Sequence, residues 1–141
     1  MSKKKIIIVL SIIVLVLIVA AFGTFFYFFH TSVKINSEFG VDGISIVEES
    51  GKEIHKDSSH FSHFSIYGKY EYRFIVKGHK VLVDYVKTNN YEHNKIEIDI
   101  KSDTSQSDSI IVIDVKRNGT LEKSEAFNLN DEDVIIINLG P

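Results

Sequence analysis

An uncharged apolar run near the N-terminus constrains this chain more than any other feature. Residues 6–29 form 24 consecutive positions without a charged side chain. At ~1.5 Å rise per residue, a helix of this length measures about 36 Å and can cross a hydrocarbon core of roughly 30 Å. The run therefore predicts a single transmembrane helix at residues 6–29, with the lipid bilayer as its partner.

The two flanks of the run predict its orientation. Basic residues next to a span remain on the cytoplasmic side, and lysines precede this run at residues 3–5. We therefore expect residues 1–5 in the cytoplasm and the rest of the chain outside the cell membrane. Aromatic residues at the outer end suit the membrane–water boundary. The predicted anchor residues are Lys3, Lys4, Lys5, Phe25, Phe26, Tyr27, Phe28 and Phe29.

A cleaved signal peptide is the alternative interpretation of the same run. Residues 1–5 would be its basic region, residues 6–20 its apolar region and residues 21–23 a small-x-small cleavage site. However, signal peptides use an apolar region of roughly 7–15 residues, which is shorter than this run. A secreted chain starting at Thr24 would also place five consecutive aromatic side chains in water. Length and the product of cleavage both favour a retained anchor.

The composition of the remaining chain excludes several classes of function. Without the three N-terminal lysines, 13 basic residues face 19 acidic ones, a net charge of −6 with neutral histidines. An acidic domain lacks the cationic surface that nucleic acid requires, so we expect no nucleic-acid partner. The chain contains no cysteine, which excludes disulfides, thiolate metal sites and a catalytic thiol. External domains without disulfides favour a bacterial cell envelope.

Hydrophobic residues beyond the run recur with the period of β-strands. In residues 95–101, isoleucines alternate with charged residues, as in a strand that is buried on one face. Residues 77–80 and the pair Asn118–Gly119 predict tight hairpin turns, since Asn-Gly tolerates positive φ at both positions. The polar arm after Gly119 predicts an exposed edge strand. Eight strands are predicted, at residues 33–39, 44–48, 70–76, 81–85, 95–101, 110–116, 121–127 and 133–138.

This strand spacing predicts the fold class. We expect an N-terminal transmembrane helix, a short linker at residues 30–32, and an extracytoplasmic all-β domain at residues 33–141. Strands at this spacing are typical of an antiparallel immunoglobulin-like β-sandwich, with a small β-barrel as the alternative. The term describes architecture alone, because the tryptophan and the cysteine pair of true immunoglobulin domains are missing. A linker this short keeps the domain close to the membrane surface.

One histidine-rich stretch suggests a metal site. Residues 55–63 contain three histidines and an aspartate, which are ligands suited to zinc or copper. The competing interpretation is an ordinary polar loop, because residues three apart on a strand point to opposite faces. A related hypothesis is acid sensing, since protonating all six histidines near pH ~6.5 would bring the net charge of −6 to about zero. The candidate metal ligands are His55, Asp57, His60 and His63.

The sequence contains no catalytic signature. It has no Gly-x-Ser-x-Gly elbow, no His-Glu-x-x-His and no glycine-rich phosphate loop. We therefore expect no enzyme, no catalytic residue and no cofactor other than a zinc or copper ion in the histidine stretch. The predicted function is a non-catalytic interaction or accessory module near the membrane, with another membrane or envelope component as partner. The alternatives are a metal- or pH-responsive domain and a cleaved secreted β-domain.

Overall fold

A computed structural model describes residues 2–103, 105 and 109–140, so the predicted limits at residues 1 and 141 lie outside the described part. The described chain forms one α-helix followed by β-strands. The elements are α1 (Lys3–Phe28), β1 (His30–Ser37), β2 (Asp42–Glu48), β3 (Glu53–His55), β4 (His60–Phe64), β5 (Gly68–Val76), β6 (His79–Lys87), β7 (Asn94–Ser102), β8 (Ile110–Arg117), β9 (Thr120–Asn128) and β10 (Val134–Asn138).

Helix α1 is apolar on every side and projects from the β domain. It has 26 residues, none of them buried, and the hydroxyl of Ser2 caps its N-terminus by accepting a hydrogen bond from the backbone N–H of Lys5 at 3.3 Å. Its length and composition suffice to cross a membrane, and a signal sequence near an N-terminus meets the same criterion. The helix is therefore compatible with either interpretation of the apolar run.

The strands form two five-stranded sheets that enclose one core. Sheet A has the order β4-β1-β7-β8-β9, and sheet B has the order β10-β6-β5-β2-β3. The architecture is sandwich-like, and the predicted alternative of a closed barrel is wrong. The core is built from alternate positions of strands in both sheets, as the period-two pattern predicts. Its fully buried members include Val33, Ile46, Tyr72, Phe74, Val83, Ile98, Ile113 and Ile137.

The prediction of purely antiparallel sheets is wrong. Strand β1 runs parallel to β7, and β10 runs parallel to β6, while the other pairs are antiparallel. Alternation of apolar residues determines which face a side chain points to, but it is the same for parallel and antiparallel neighbours. The direction of a neighbouring strand was therefore not readable from the pattern. The immunoglobulin-like assignment stays a prediction.

The strand count was also too low, because two short edge strands were missed. Strands β3 and β4 lie at the sheet edges, and β4 buries only Phe61 and His63 among its five residues. Such short polar strands carry little hydrophobic periodicity. In addition, β1 begins at His30, so residues 30–32 of the expected linker are strand residues paired with β4 and β7. The helix and the sheet are separated by a single residue, Phe29.

Two predicted hairpins and one predicted edge are confirmed. The turn between β5 and β6 has φ of +50° at Lys77 and +79° at Gly78, and the turn between β8 and β9 has +52° at Asn118 and +84° at Gly119. Two consecutive positive φ angles are the hallmark of the type I′ turns that join twisted strands. Strand β9 is the edge of sheet A and is largely exposed.

The β domain has two ends of different character. The connections 49–52, 65–67, 88–93 and 118–119, with residues 139–140, lie at the end from which the helix emerges, called here the helix-proximal end. The connections 38–41, 56–59, 77–78 and 129–133, with the described residues between β7 and β8, lie at the distal end. Counted over described side chains, the distal connections carry six acidic and two basic residues, against two and one at the helix-proximal end. Among the connections, acidic residues are therefore concentrated at the end away from the helix.

Candidate functional site at the helix–sheet junction

Four consecutive backbone carbonyls, those of the last three residues of α1 and of Phe29 directly after it, are hydrogen-bonded to the β domain. The final carbonyls of a helix lack intrahelical partners and must be satisfied elsewhere. Here each one accepts a hydrogen bond from a residue of the β domain. The donors are His30 Nδ1 to the carbonyl of Phe26 at 2.6 Å, His93 Nδ1 to that of Tyr27 at 2.8 Å, Lys87 Nζ to that of Phe28 at 2.6 Å and the backbone N–H of Ser65 to that of Phe29 at 2.7 Å. These four contacts define the junction.

Lys87 is the central residue of the junction. It occupies the inward-facing register of β6, after Val81, Val83 and Tyr85, and it is fully buried. Besides the carbonyl of Phe28, its ammonium donates to the carbonyl and the hydroxyl of Ser65, both at 3.0 Å. All three ammonium protons are thus satisfied, which a buried cation requires. The position also places a positive charge at the negative end of the helix dipole.

Burial nevertheless opposes the charge on Lys87. Desolvation lowers the pKa of its ammonium, and the carboxylate of Glu92 partly offsets this effect. The ring of Phe29 lies 5.9 Å from the ammonium and stacks in turn on Phe64, with ring centres 6.2 Å apart. The rings of Phe29 and Phe64 therefore shield the ammonium of Lys87 from solvent on the side facing the helix.

His93 links the loop between β6 and β7 to the last turn of the helix. Its ring stacks on Tyr27 at 4.0 Å between centres, with an interplanar angle of 15°. Because a backbone carbonyl only accepts hydrogen bonds, Nδ1 carries a proton and donates it to Tyr27. In the neutral ring, Nε2 then accepts from the hydroxyl of Ser32, at 3.2 Å. Both ring nitrogens are engaged in joining the helix to the sheet.

The Ser32–His93 contact resembles the pairing of a nucleophile with its base. In such catalytic pairs, a third group orients the base, and here the carbonyl of Tyr27 occupies that place. The pair lies within the joint between helix and sheet, where the same bonds hold the last turn of α1. We therefore interpret Ser32 and His93 as structural groups.

An acidic cleft lies beside the junction on sheet B. It has a volume of about 560 Å³ and is lined in part by Glu48, Glu49, Glu71 and Asp84. Glu71 and Asp84 stand directly opposite each other on β5 and β6. Burial first, and the nearby carboxylate of Glu71 second, raise the pKa of Asp84, while Arg73 Nε lies 2.6 Å from the carboxylate of Glu71. The cleft can hold a cationic group, and its other polar side chains are those of Lys69, Tyr70, Tyr85 and Asn138.

The histidine stretch does not form one set of metal ligands. In the described part of the chain, no group of three or more His, Cys, Asp or Glu side chains is placed to hold a metal ion. His55 ends β3 in sheet B, whereas His60 begins β4 in sheet A. His60 points outward and His63 points into the core, as residues three apart on a strand must. Asp57 is an exposed residue of the connection between these two strands.

His63 is committed to the core through both ring nitrogens. Nδ1 lies 3.0 Å from the carbonyl of Phe64 and therefore carries a proton, so Nε2 accepts from the hydroxyl of Tyr72 at 2.8 Å. Burial lowers the pKa of His63 to about 4. A neutral ring with both nitrogens bonded offers no lone pair to a metal. Zinc or copper binding by this stretch stays a prediction without a geometry to support it.

The predicted anchor residues lie at both ends of the helix. Lys3, Lys4 and Lys5 are exposed in its first turn. At the other end, Phe25, Phe26 and Tyr27 are 58%, 66% and 51% exposed, whereas Phe28 and Phe29 are partly covered by the β domain. The aromatic residues thus continue the apolar surface of the helix up to the junction.

Sequence reasoning missed the donors of the junction. One signal was present: extending the alternation of Val81, Val83 and Tyr85 by two residues places Lys87 on the buried face. A lysine at a core position requires a special partner. Nothing comparable marks Ser65 or His93, because their roles depend on how strands distant in sequence come together at the helix end.

Comparisons with known proteins add no relationship. No family model, curated protein or solved structure that was compared with this chain matches it.

Proposed function

We propose that this chain is a single-pass membrane protein whose acidic β domain is held in a fixed orientation at the outer surface of a bacterial cell membrane. Residues 1–5 lie in the cytoplasm, α1 crosses the bilayer, and the β domain serves as a non-catalytic interaction or accessory module. Its partner is another membrane or envelope component. The observation that carries the proposal is the junction, where four carbonyls of the helix are bonded directly to the β domain.

The junction favours a retained anchor over a signal peptide, because fixed bonds with the β domain are useful only to a helix that is not removed. Each hydrogen bond contributes about 0.5–1.5 kcal/mol, and bonds to charged groups contribute more, so the four together can fix the helix against the sheet. A domain joined in this way cannot swing on a stalk, and it presents one end to the lipid and the other to the exterior. The acidic distal connections point outward in this arrangement, away from anionic headgroups.

Retention also explains the exposed aromatic residues of the last helical turns. Cleavage after Gly23 would leave Phe25, Phe26 and Tyr27 in water on a helix too short to be stable alone. In a bilayer, the same side chains lie at the outer boundary, where tyrosine in particular is favoured. The cleaved secreted domain therefore remains as the outcome that the test below must separate from the anchor.

Single-cysteine variants of the full-length chain test the proposed topology. The natural chain has no cysteine, so Ser2→Cys and Asp131→Cys each create one reactive thiol, at the two ends of the protein. In intact cells, a membrane-impermeant maleimide should label Asp131→Cys but not Ser2→Cys, and both should react after lysis. Labelling of both variants in intact cells, or recovery of the protein in the medium with Thr24 as its first residue, would contradict the proposal.

The module hypothesis has its own test in the same cells. A photo-crosslinking amino acid at position 132, in an acidic distal connection, should yield one defined membrane or envelope product. The same group at position 16, within the helix, serves as the matched control for random neighbours in the bilayer. Identical products from both positions would argue against a specific partner at the distal end.

A further inference from the structure

Exposed apolar side chains of the β domain are concentrated at its helix-proximal end. Among the described residues outside the helix, seven large apolar ones are strongly exposed, and five of them lie at that end. The other two, Val134 and Ile136, lie on the edge strand β10. We define the apolar collar as the four members that surround the root of the helix: Phe64, Ile66, Tyr67 and Tyr91, which are 55%, 46%, 67% and 73% exposed.

Tyr91 extends along the helix below the level of the sheet. Together with Ala21, Thr24 and Phe28 it lines a cleft of about 400 Å³ between the loop 88–93 and the last turns of α1. At ~1.5 Å rise per residue, Thr24 lies about 6 Å, and Ala21 about 10 Å, farther into the helix than Phe28. The ring of Tyr91 therefore stands beside a part of the helix that enters the bilayer if α1 spans it.

The collar is held in place by hydrogen bonds. The backbone N–H of Ile66 donates to the hydroxyl of Tyr70 at 2.8 Å, and that hydroxyl donates to the carbonyl of Ile66 at 3.0 Å. The N–H of Tyr67 donates to the side chain of Asn90, which joins the two collar loops. The N–H of Tyr91 donates to Asn89 Oδ1 at 2.9 Å. Because these loops are already ordered, presenting their side chains to lipid requires little further loss of conformational entropy.

The chemistry of this end fits the boundary between headgroups and acyl chains. Tyrosine places an apolar ring and a polar hydroxyl at that boundary, and isoleucine and phenylalanine suit its apolar side. The connections at this end carry two acidic residues and one basic residue among described side chains, so they provide no cationic patch for anionic lipids. The contact should therefore depend on apolar burial and little on headgroup charge.

We infer that the apolar collar inserts into the outer headgroup layer of the same bilayer that α1 crosses, so that the domain rests on the membrane at two loops as well as on its helix. This inference rests on the proposed anchoring of α1. The occupant is the lipid surface because the collar is continuous with the apolar surface of the helix, through the contacts of Phe64 with Phe29 and of Tyr91 with the last helical turns.

Depth-dependent fluorescence quenching of the full-length chain tests the inference. Single-cysteine variants Tyr67→Cys and Tyr91→Cys carry an environment-sensitive dye, and each chain is placed alone in a nanodisc that contains nitroxide lipids. The dye at both positions should show blue-shifted emission, strong quenching by headgroup-level nitroxides and several-fold weaker quenching by aqueous iodide than at the control Glu132→Cys. Changing the lipid from zwitterionic to partly anionic should leave these differences in place.

Three outcomes would overturn the inference in different ways. A fourth variant, Val14→Cys, reports on the helix and should be quenched by nitroxides deep in the acyl chains. If Val14→Cys is quenched but positions 67 and 91 behave like position 132, the collar does not insert into the headgroup layer, whereas α1 still spans the bilayer. If Val14→Cys is not quenched, α1 does not span the bilayer, and the proposed function on which this inference rests is wrong. If shielding at positions 67 and 91 requires two chains per disc, a second copy rather than lipid covers the collar.

Discussion

At the scale of single residues, Lys87 makes the central contacts of the junction. Its fully buried ammonium donates three hydrogen bonds, to Phe28 and to two oxygens of Ser65. A methionine has nearly the same length but no donor, so Lys87→Met would remove this donor from the carbonyls of Phe28 and Ser65, while the hydroxyl of Ser65 would keep its bond with Thr31. Each buried group left unsatisfied costs about 1–3 kcal/mol.

We therefore expect Lys87→Met to lower the free energy of unfolding of the full-length chain by about 1–3 kcal/mol. Denaturant unfolding in micelles measures this loss. Lys69→Met is the matched control, because Lys69 lies exposed on the neighbouring strand β5 and should change stability by less than about 0.5 kcal/mol. Equal effects of the two substitutions would show that the ammonium of Lys87 does not stabilise the junction.

His63 makes stability depend on pH. The pKa of His63 is about 4 in the folded protein, below the ordinary value of 6.5, because burial disfavours the charged ring. Between these values the unfolded chain binds a proton that the folded chain does not, so stability falls as pH is lowered from about 6.5 to 4. The loss reaches about 3 kcal/mol in total, at 1.36 kcal/mol per unit of pKa difference.

His63→Gln should remove most of this loss, so that its free energy of unfolding changes less between pH 7 and pH 4.5 than that of the natural protein. Urea unfolding at the two pH values provides the comparison. His60→Gln, an exposed position on the same strand β4, should retain the dependence of the natural chain. If His63→Gln retains it as well, His63 does not titrate as its burial implies.

At the scale of elements, local backbone requirements were readable from the sequence. Asn118–Gly119 predicted a type I′ hairpin, and both residues have positive φ. A Cβ at Gly119 would meet no heavy atom within 4 Å, so a substitution there reports on backbone conformation alone. Gly119→Ala should therefore destabilise the chain by about 1–2 kcal/mol, the usual penalty for a left-handed residue with a side chain.

The matched control for this hairpin is Gly140→Ala. A Cβ there also meets nothing within 4 Å, and Gly140 does not have the positive φ of Gly119. Comparing the denaturant unfolding of the two variants isolates the free-energy cost of a side chain at the positive φ of Gly119. A loss for Gly140→Ala as large as for Gly119→Ala would mean that the hairpin conformation is not the cause.

The direction of paired strands and the presence of β4 could not be predicted from the sequence, for physical reasons. Alternation in residues 95–101 correctly placed Ile98 in the core, yet it contained no information on the parallel pairing of β7 with β1. Strand β4 was missed because its His-Phe-Ser-His-Phe sequence buries a histidine where the pattern expects an apolar residue. His63 is accommodated there because the carbonyl of Phe64 accepts from one ring nitrogen and the hydroxyl of Tyr72, from the opposite sheet, donates to the other.

In the candidate site too, some features could be predicted from a local stretch of sequence and others depend on contacts between distant parts of the chain. The apolar helix and its aromatic end follow from the order of residues 6–29. The junction does not, because Ser65, Lys87 and His93 come from separate parts of the chain and meet only when both sheets have formed. A sequence can indicate that Lys87 is buried, but it does not show which carbonyl receives the ammonium.

At the scale of the whole molecule, the two ends of the β domain differ in the polarity of their exposed side chains. The helix-proximal end carries the junction and the apolar collar, and the distal end carries most of the acidic charge of the connections. In the proposed topology, a rigid junction keeps these ends in fixed relation to the bilayer. The orientation of the β domain that we propose thus depends on four hydrogen bonds at the root of one helix.

The distance between helix and sheet in a bilayer shows whether the junction is rigid. Spin labels at Ile18→Cys and Glu125→Cys, in a full-length chain with no other cysteine, allow pulsed electron paramagnetic resonance on one chain per nanodisc. A rigid junction gives a single narrow distance distribution, which broadens when Lys87→Met and His93→Ala are added. A broad distribution in the otherwise natural chain, unchanged by these two substitutions, would contradict a rigid junction.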